Sequence, residues 1–277
     1  MRKGVAGYAP LVSFAQEVTA DAALSGPTGE TLLCFTEVGP LSEEKLLAAL
    51  QVANPQRPWW TRKSLSGKYI LVGTIPIATW QGQSEGGGAW PNLITRSANG
   101  TKETFLIWFV HLASPLGSSN HSNHTTQTAR ALRSAVEMVE GETATQSILI
   151  GDFNMRPYDS GMVDPTALNA SPCCLEALRP RVIDKASHPH FYNPCWELLG
   201  NRCSNRQPGS YRRNDRTDSV RWWLIDQLLI RPKIADKLAA RTPRILTQVG
   251  GTQLVTSRGA ANTSISDHLP IVASLSI

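Results

Sequence analysis

Six short apolar runs set the terms on which this chain can fold: TLLCF at 31–35, YILVG at 69–73, TFLIWFVHL at 104–112, SILIGDF at 147–153, LIDQLLI at 224–230 and LPIVASLSI at 269–277. Each is rich in β-branched and large apolar residues and too short for a helix, so each predicts a buried strand. Helical patterns lie between them. Ser42 followed by Glu43 and Glu44 predicts a capped helix through Leu46, Leu47 and Leu50. Residues 125–140 place Ala129, Leu132, Ala135, Val136 and Val139 on one face, and a third helix is expected from Pro10 to Ala20. Residues 81–92, 114–124 and 200–221 read as loops.

Acidic and histidine residues fall repeatedly at the ends of the apolar runs. Glu37 follows the first, His111 closes the third, Asp152 and Asn154 close the fourth, Asp226 interrupts the fifth, and Asp267 and His268 precede the sixth. A single strand-end Asp is ordinarily a turn or cap residue, and a single His in an apolar strand a satisfied core residue. Recurrence at several strand ends is different, because such side chains can converge at one rim of a sheet.

Composition narrows the partners. The net charge of +5 and pI near 9.1 fit an anionic partner without demanding one. The longest strongly apolar run, 105–113, falls far short of the roughly 20 residues that span a bilayer. The amino terminus lacks the uninterrupted apolar core of a secretory signal, so the expected compartment is the cytoplasm. Cys34, Cys173, Cys174, Cys195 and Cys203 contain no CxxC pair and fit reduced thiols better than a disulfide framework or a zinc site. His121/His124 and His188/His190 lack acidic or cysteine partners, and GGGAW at 86–90 lacks the Lys-Ser/Thr of a phosphate-binding loop. Trp59, Trp60 and Trp90 are expected in the core. No repeat or shift of composition marks a boundary, so a single domain over 1–277 is expected, and a monomer.

In combination the motifs resemble the endonuclease/exonuclease/phosphatase superfamily, the deoxyribonuclease-like metal-dependent phosphoesterases. The resemblance rests on ILIGDFN at 148–154, SISDHLPIV at 264–272, FVHLASP at 109–115, TLLCFTEVG at 31–39 and WLIDQLLI at 223–230, in the family's order. HFYNPCWELLG at 190–200 and PGSY at 208–211 further look like a bacterial branch of it. The resemblance implies an α/β (α+β) four-layer sandwich: two mainly antiparallel sheets face to face, helices outside, and a site at one edge.

It also implies a divalent-metal-dependent phosphodiester hydrolase, with an endo- or exonuclease acting on nucleic acid as the expected activity. A scissile phosphate is anionic and repels hydroxide unless a cation neutralises the developing charge. Mg²⁺, with Mn²⁺ as a substitute, is the expected metal, and Glu37 and Asp267 are its expected ligands. Asp152 with Asn154 is expected to activate water, His268 to donate to a phosphoryl oxygen with Asp226 fixing its tautomer, and His111 to face the leaving-group or non-bridging oxygens.

Two departures stand beside these expectations. Family members usually open with a strand ending in Asn, whereas residues 2–20 look like the loop and helix that follow it, so the first strand is expected to be missing. Many members also carry Asn where this chain has Phe109. Arginines crowd 200–221, and Arg212, Arg213 and Arg216 are expected to track a nucleic-acid backbone, with Tyr211, Trp222 and Trp223 nearby to stack bases. The alternatives are a phosphatase or phosphodiesterase for a small phosphorylated or lipid-headgroup substrate, and a catalytically impaired nucleic-acid-binding homologue.

Overall fold

Alternation along the apolar strands builds the two larger sheets and assigns each of their faces to a neighbour. The computed structural model describes residues 8–276 apart from 22–29, 76–79, 83–84, 99–100, 118, 200–206, 214–218 and 241. The larger sheet has seven strands. β4 (Trp80–Gly82), β5 (Ala89–Ala98), β6 (Thr101–His111) and β7 (Ser147–Asp152) are followed across it by Asp226–Ile230, Phe191–Tyr192 and Ala170–Ser171. The pairing of β6 with β7 is parallel, as is that of the last two strands, and the rest are antiparallel. The second sheet orders β1 (Leu32–Thr36), β3 (Tyr69–Gly73) and β2 (Trp60–Lys63), all antiparallel.

Along β6, Leu106, Trp108 and Val110 face α3 (His121–Thr143), where Ala129, Leu132 and Val136 meet them, all essentially buried. Phe109 takes the opposite face and joins Trp90 and Ile94 against Trp60, Tyr69 and Leu71 of the second sheet. The outer face of that sheet, with Ile70 and Val72, packs on Leu11 and Ala15 of α1 (Ala9–Ala20) and Leu46 and Leu50 of α2 (Glu43–Ala53). The result is the expected order of helix, sheet, sheet, helix. Trp59, Trp60 and Trp90 are core residues, 6%, 7% and 4% exposed, and so are not rim aromatics. Between β1 and the Ile271–Val272 strand lies a cavity of about 2200 Å³, lined by Leu33, Phe105, Ile148 and Ile271 and continuing to Asp152 and His268. No helix among the described residues is long and apolar enough to cross a membrane.

Local structure departs from the sequence expectations in three places. Residues 81–92 do not form a loop throughout, because β5 begins at Ala89 and pairs Trp90 with Phe109. The long helix starts at His121 rather than 125, since the Asn120 side chain caps it by accepting the Asn123 N–H at 3.0 Å. Among the described residues of LPIVASLSI only Ile271–Val272 is a strand, paired with Arg244–Ile245, while Pro270 has no N–H to give a ladder.

At the end of the central strands away from Asp152, a buried clamp ties the layers. Glu140 of α3 accepts from Arg231 Nε and Nη2 at 2.9 and 2.7 Å and from the Ser147 N–H at 3.0 Å, and Arg231 N–H donates to the Ser147 carbonyl at 3.0 Å. At the other end β7 passes β6 at Gly151, whose φ of +136° is one L side chains rarely adopt. A Cβ there would sit 2.3 Å from the Val110 carbonyl oxygen. Gly151→Ala is therefore expected to destabilise the fold by about 3 kcal/mol in urea unfolding, and an unchanged midpoint would contradict the close approach.

Candidate active site

Strand register places three functional groups on one rung of the larger sheet. His111 at the end of β6 is paired with Asp152 at the end of β7, and Asp152 with Asp226 at the start of its antiparallel strand. All three continue the inner face, the one that carries Phe109, Ile150 and Leu228. Phe109 itself is the preceding residue on that face, buried in the intersheet core. The apolar stripes of three strands thus end together in titratable groups.

The rest of the chain closes around this rung. Asn154 has a positive φ of 51°, which folds its side chain back so that Nδ2 donates to Asp152 Oδ2 at 2.9 Å and to the Leu112 carbonyl at 2.8 Å. Its own N–H donates to Asp152 Oδ1 at 2.7 Å. Both Asp152 oxygens are therefore oriented by one residue. From the second sheet Glu37, just past β1, brings Oε1 to 3.7 Å from His111 Nε2, and Asp152 Oδ2 lies 3.9 Å from the same nitrogen. His268 Nδ1 is 2.8 Å from Asp226 Oδ2. Asp267 lines the same cavity, and so does Arg213. Arg212 lies opposite Trp222 in a short strand pair, and Arg216 lies outside the described residues.

Burial and these neighbours set the charges. Burial opposes a cation at His268, but the Asp226 carboxylate and its hydrogen bond outweigh that and raise the imidazole to about 9. Burial would raise Asp226 too, yet the charge of His268 and hydrogen bonds from His268 and Ser210 hold it below the ordinary carboxylate range. Asp152 has no such cation bonded to it. Burial, then the negative charge of Asp226, push it up to about 7. His111 is held below its ordinary value, because burial outweighs the nearby Glu37. The rung is therefore differentiated into an ion pair, a carboxyl poised near neutrality and a neutral imidazole.

Asp152, Asp226 and His268 form the group among the described residues whose ligand atoms all lie within 4.8 Å of one another. An imidazole protonated on both nitrogens has no lone pair for a metal, so the donors suited to a cation here are carboxylates. Glu37, Asp152 and Asp267 line the same cavity and carry hard oxygens of the kind Mg²⁺ or Mn²⁺ takes, although Glu37 and Asp267 are not in the converging group. A cation beside Asp152 would also favour the ionised form that burial disfavours.

Two participants, Ser210 and Ser266, were not singled out from sequence. Ser210 is fully buried, its Oγ accepts the Asp226 N–H at 2.9 Å, and its carbonyl accepts the Leu269 N–H at 2.7 Å, so it binds the Asp226 strand to the His268 loop. PGSY at 208–211 was the available signal. Ser266 Oγ accepts the His268 N–H at 3.1 Å. Tyr211 packs its ring 4.9 Å from the His268 ring.

The same architecture occurs in solved structures. An endonuclease/exonuclease/phosphatase family protein from Bacteroides thetaiotaomicron matches with a TM-score of 0.51 at 13% identity, over 95% of this chain and 89% of that one. This chain has the fold of the endonuclease/exonuclease/phosphatase superfamily. Two further structures share that superfamily fold with it. TDP2 from D. rerio, complexed with single strand DNA product, matches at 0.50 with 16% identity over 96% and 92% of the two chains. The human Nocturnin catalytic domain with bound sulfate anion matches at 0.50 with 11% identity over 95% and 85%. The sequence matches no family model and no curated protein.

The Asp226–His268 pair gives a pH signature. A histidine whose folded pKa lies above its unfolded value contributes stability that is full below about 6.5 and lost as pH rises through about 9. Unfolding of chelator-treated protein should show a midpoint that falls across that window, and Asp226→Asn should abolish the fall. A profile unaffected by Asp226→Asn would contradict the pairing.

Proposed function

We propose that the protein is a divalent-metal-dependent phosphodiester hydrolase acting on nucleic acid, a single catalytic domain whose site draws on residues from Glu37 to His268. The observation that carries this reading is the convergence on one rung of Asp152, its two oxygens held by Asn154, with an Asp226 carboxylate bonded to His268 at 2.8 Å. In this reading Asp152 accepts the proton of the attacking water, a task suited to a pKa near the working pH. Asn154 keeps both carboxylate oxygens oriented. His268, kept protonated by Asp226, donates from Nε2 to a phosphoryl oxygen as negative charge builds. His111, neutral at working pH, hydrogen-bonds a leaving-group or non-bridging oxygen. Glu37 and Asp267 would hold a divalent cation. Bound there, Mg²⁺ or Mn²⁺ would neutralise charge on the phosphate and position it.

Nucleic acid is favoured as substrate by Arg213 in the site cavity, with Arg212 next to it in the chain, together with the single strand DNA product that the D. rerio TDP2 structure holds. Assays with Mg²⁺ or Mn²⁺ on DNA, RNA and phosphomonoesters test the assignment. Cleavage should vanish with a chelator and fall about 10³-fold in Asp152→Ala and in His268→Ala. Cleavage that survives both substitutions would overturn it. Replacing Arg212 and Arg213 with Ala should flatten the dependence of log KM on log salt by about 0.7 for each single-strand phosphate that an arginine no longer neutralises. An unchanged slope would remove these arginines from the binding surface.

A further inference from the structure

A continuous run of aromatic rings and guanidinium groups leads away from His268. Tyr211–Arg212 and Trp222–Trp223 pair antiparallel with Tyr211 opposite Trp223, and the Tyr211 ring lies against His268. The Arg213 guanidinium sits 4.4 Å over the Trp223 ring. Arg156 sits 4.9 Å over that same ring and 4.9 Å over the ring of Tyr158. Arg156 is itself fixed by Asp159, whose Oδ1 accepts from Nε and Nη2 at 3.0 and 2.8 Å. Tyr158 keeps 46% of its surface exposed.

Position and chemistry together point to a ligand. Arg156 follows Asn154 by two residues, and Tyr211, Arg213 and Trp223 line the cavity that holds Asp152 and His268. Aromatic rings and guanidinium planes stack on bases, and the same guanidinium groups attract phosphates. Bases within a duplex already have both faces covered by their neighbours, so a single strand is what offers free faces to such a surface.

We infer that Tyr211, Trp223, Arg213, Arg156 and Tyr158 form a stacking ledge that carries single-stranded nucleic acid next to the scissile phosphate. The inference rests on the hydrolase reading above and specifies its substrate class. Arg156 is a positioning residue that holds the Tyr158 and Trp223 rings. Tyr158 and the Arg213–Trp223 pair take the bases.

Fluorescence anisotropy with a labelled ten-nucleotide strand tests it, in chelator so that nothing is cut, beside an abasic strand of equal length and a blunt duplex, with DNA and RNA arms. The base-bearing strand should bind about tenfold more tightly than the abasic one. Tyr158→Ala should remove most of that advantage, and so should Arg213→Lys, which keeps the charge but loses the plane. Trp223→Phe should retain it. Equal binding of both strands by the unaltered protein, or variants that weaken both strands equally, overturns the ledge. Failure of the hydrolase reading looks different. Base-dependent binding that Tyr158→Ala abolishes, without metal-dependent cleavage, would leave the ledge standing, whereas metal-dependent cleavage indifferent to bases would leave only the hydrolase.

Discussion

Everything at the site depends on the register between β6, β7 and the Asp226–Ile230 strand. Because side chains alternate strictly, a slip of one residue in any pairing would turn a carboxyl or the imidazole away from the intersheet space. The register is fixed by apolar matter well away from the chemistry: Trp108 and Leu149 must face α3 and Phe109 the second sheet. Packing energy spread over these strands therefore sets the positions of His111, Asp152 and Asp226. The tight passage at Gly151 is a local cost of bringing the strands into that alignment.

Burial then does chemical work that solvent would cancel. Taking Asp226 and His268 out of water is tolerated because they meet at 2.8 Å and because Ser210 adds a hydrogen bond. Asp152, one rung position away, shares the low dielectric without an equally close cation, and its carboxyl responds by holding its proton to about 7. The two carboxylates differ in which has a cation in contact, and that difference follows from the loop carrying His268 being stitched by Ser210 and Ser266.

Much of this was legible from residue order. YILVG became β3 over the same residues, SILIGDF became β7 one residue shorter, and Ser42 caps its helix as its acidic neighbours suggested. The strand-end convergence followed from apolar runs that are polar at their ends, while the four layers were what the superfamily resemblance implied. What escaped notice had local signals contradicted by tertiary contact. GGGAW looks like a turn, yet Ala89 and Trp90 enter a strand because the inner face has room for the indole beside Tyr69. LPIVASLSI reads as a nine-residue strand, but of its described residues only Ile271 and Val272 find a ladder partner in Arg244–Ile245. Arg156 and Tyr158 gave no signal, since their meaning depends on Trp223, distant in sequence and a neighbour only in space.

The Glu140–Arg231–Ser147 clamp has a consequence for motion. It pins the central strands at the end opposite the rung, joining a helix, β7 and the residue following the Asp226 strand through buried charge-assisted hydrogen bonds. Opening fluctuations of the sheet will then be hinged there and largest at the free end, where His111 and Asp152 sit. Amide hydrogens of β7 would exchange with solvent along a gradient, slowest at Ser147 and Ile148 and faster toward Asp152. Stability and access to substrate would thus be divided between the two ends of the same strands.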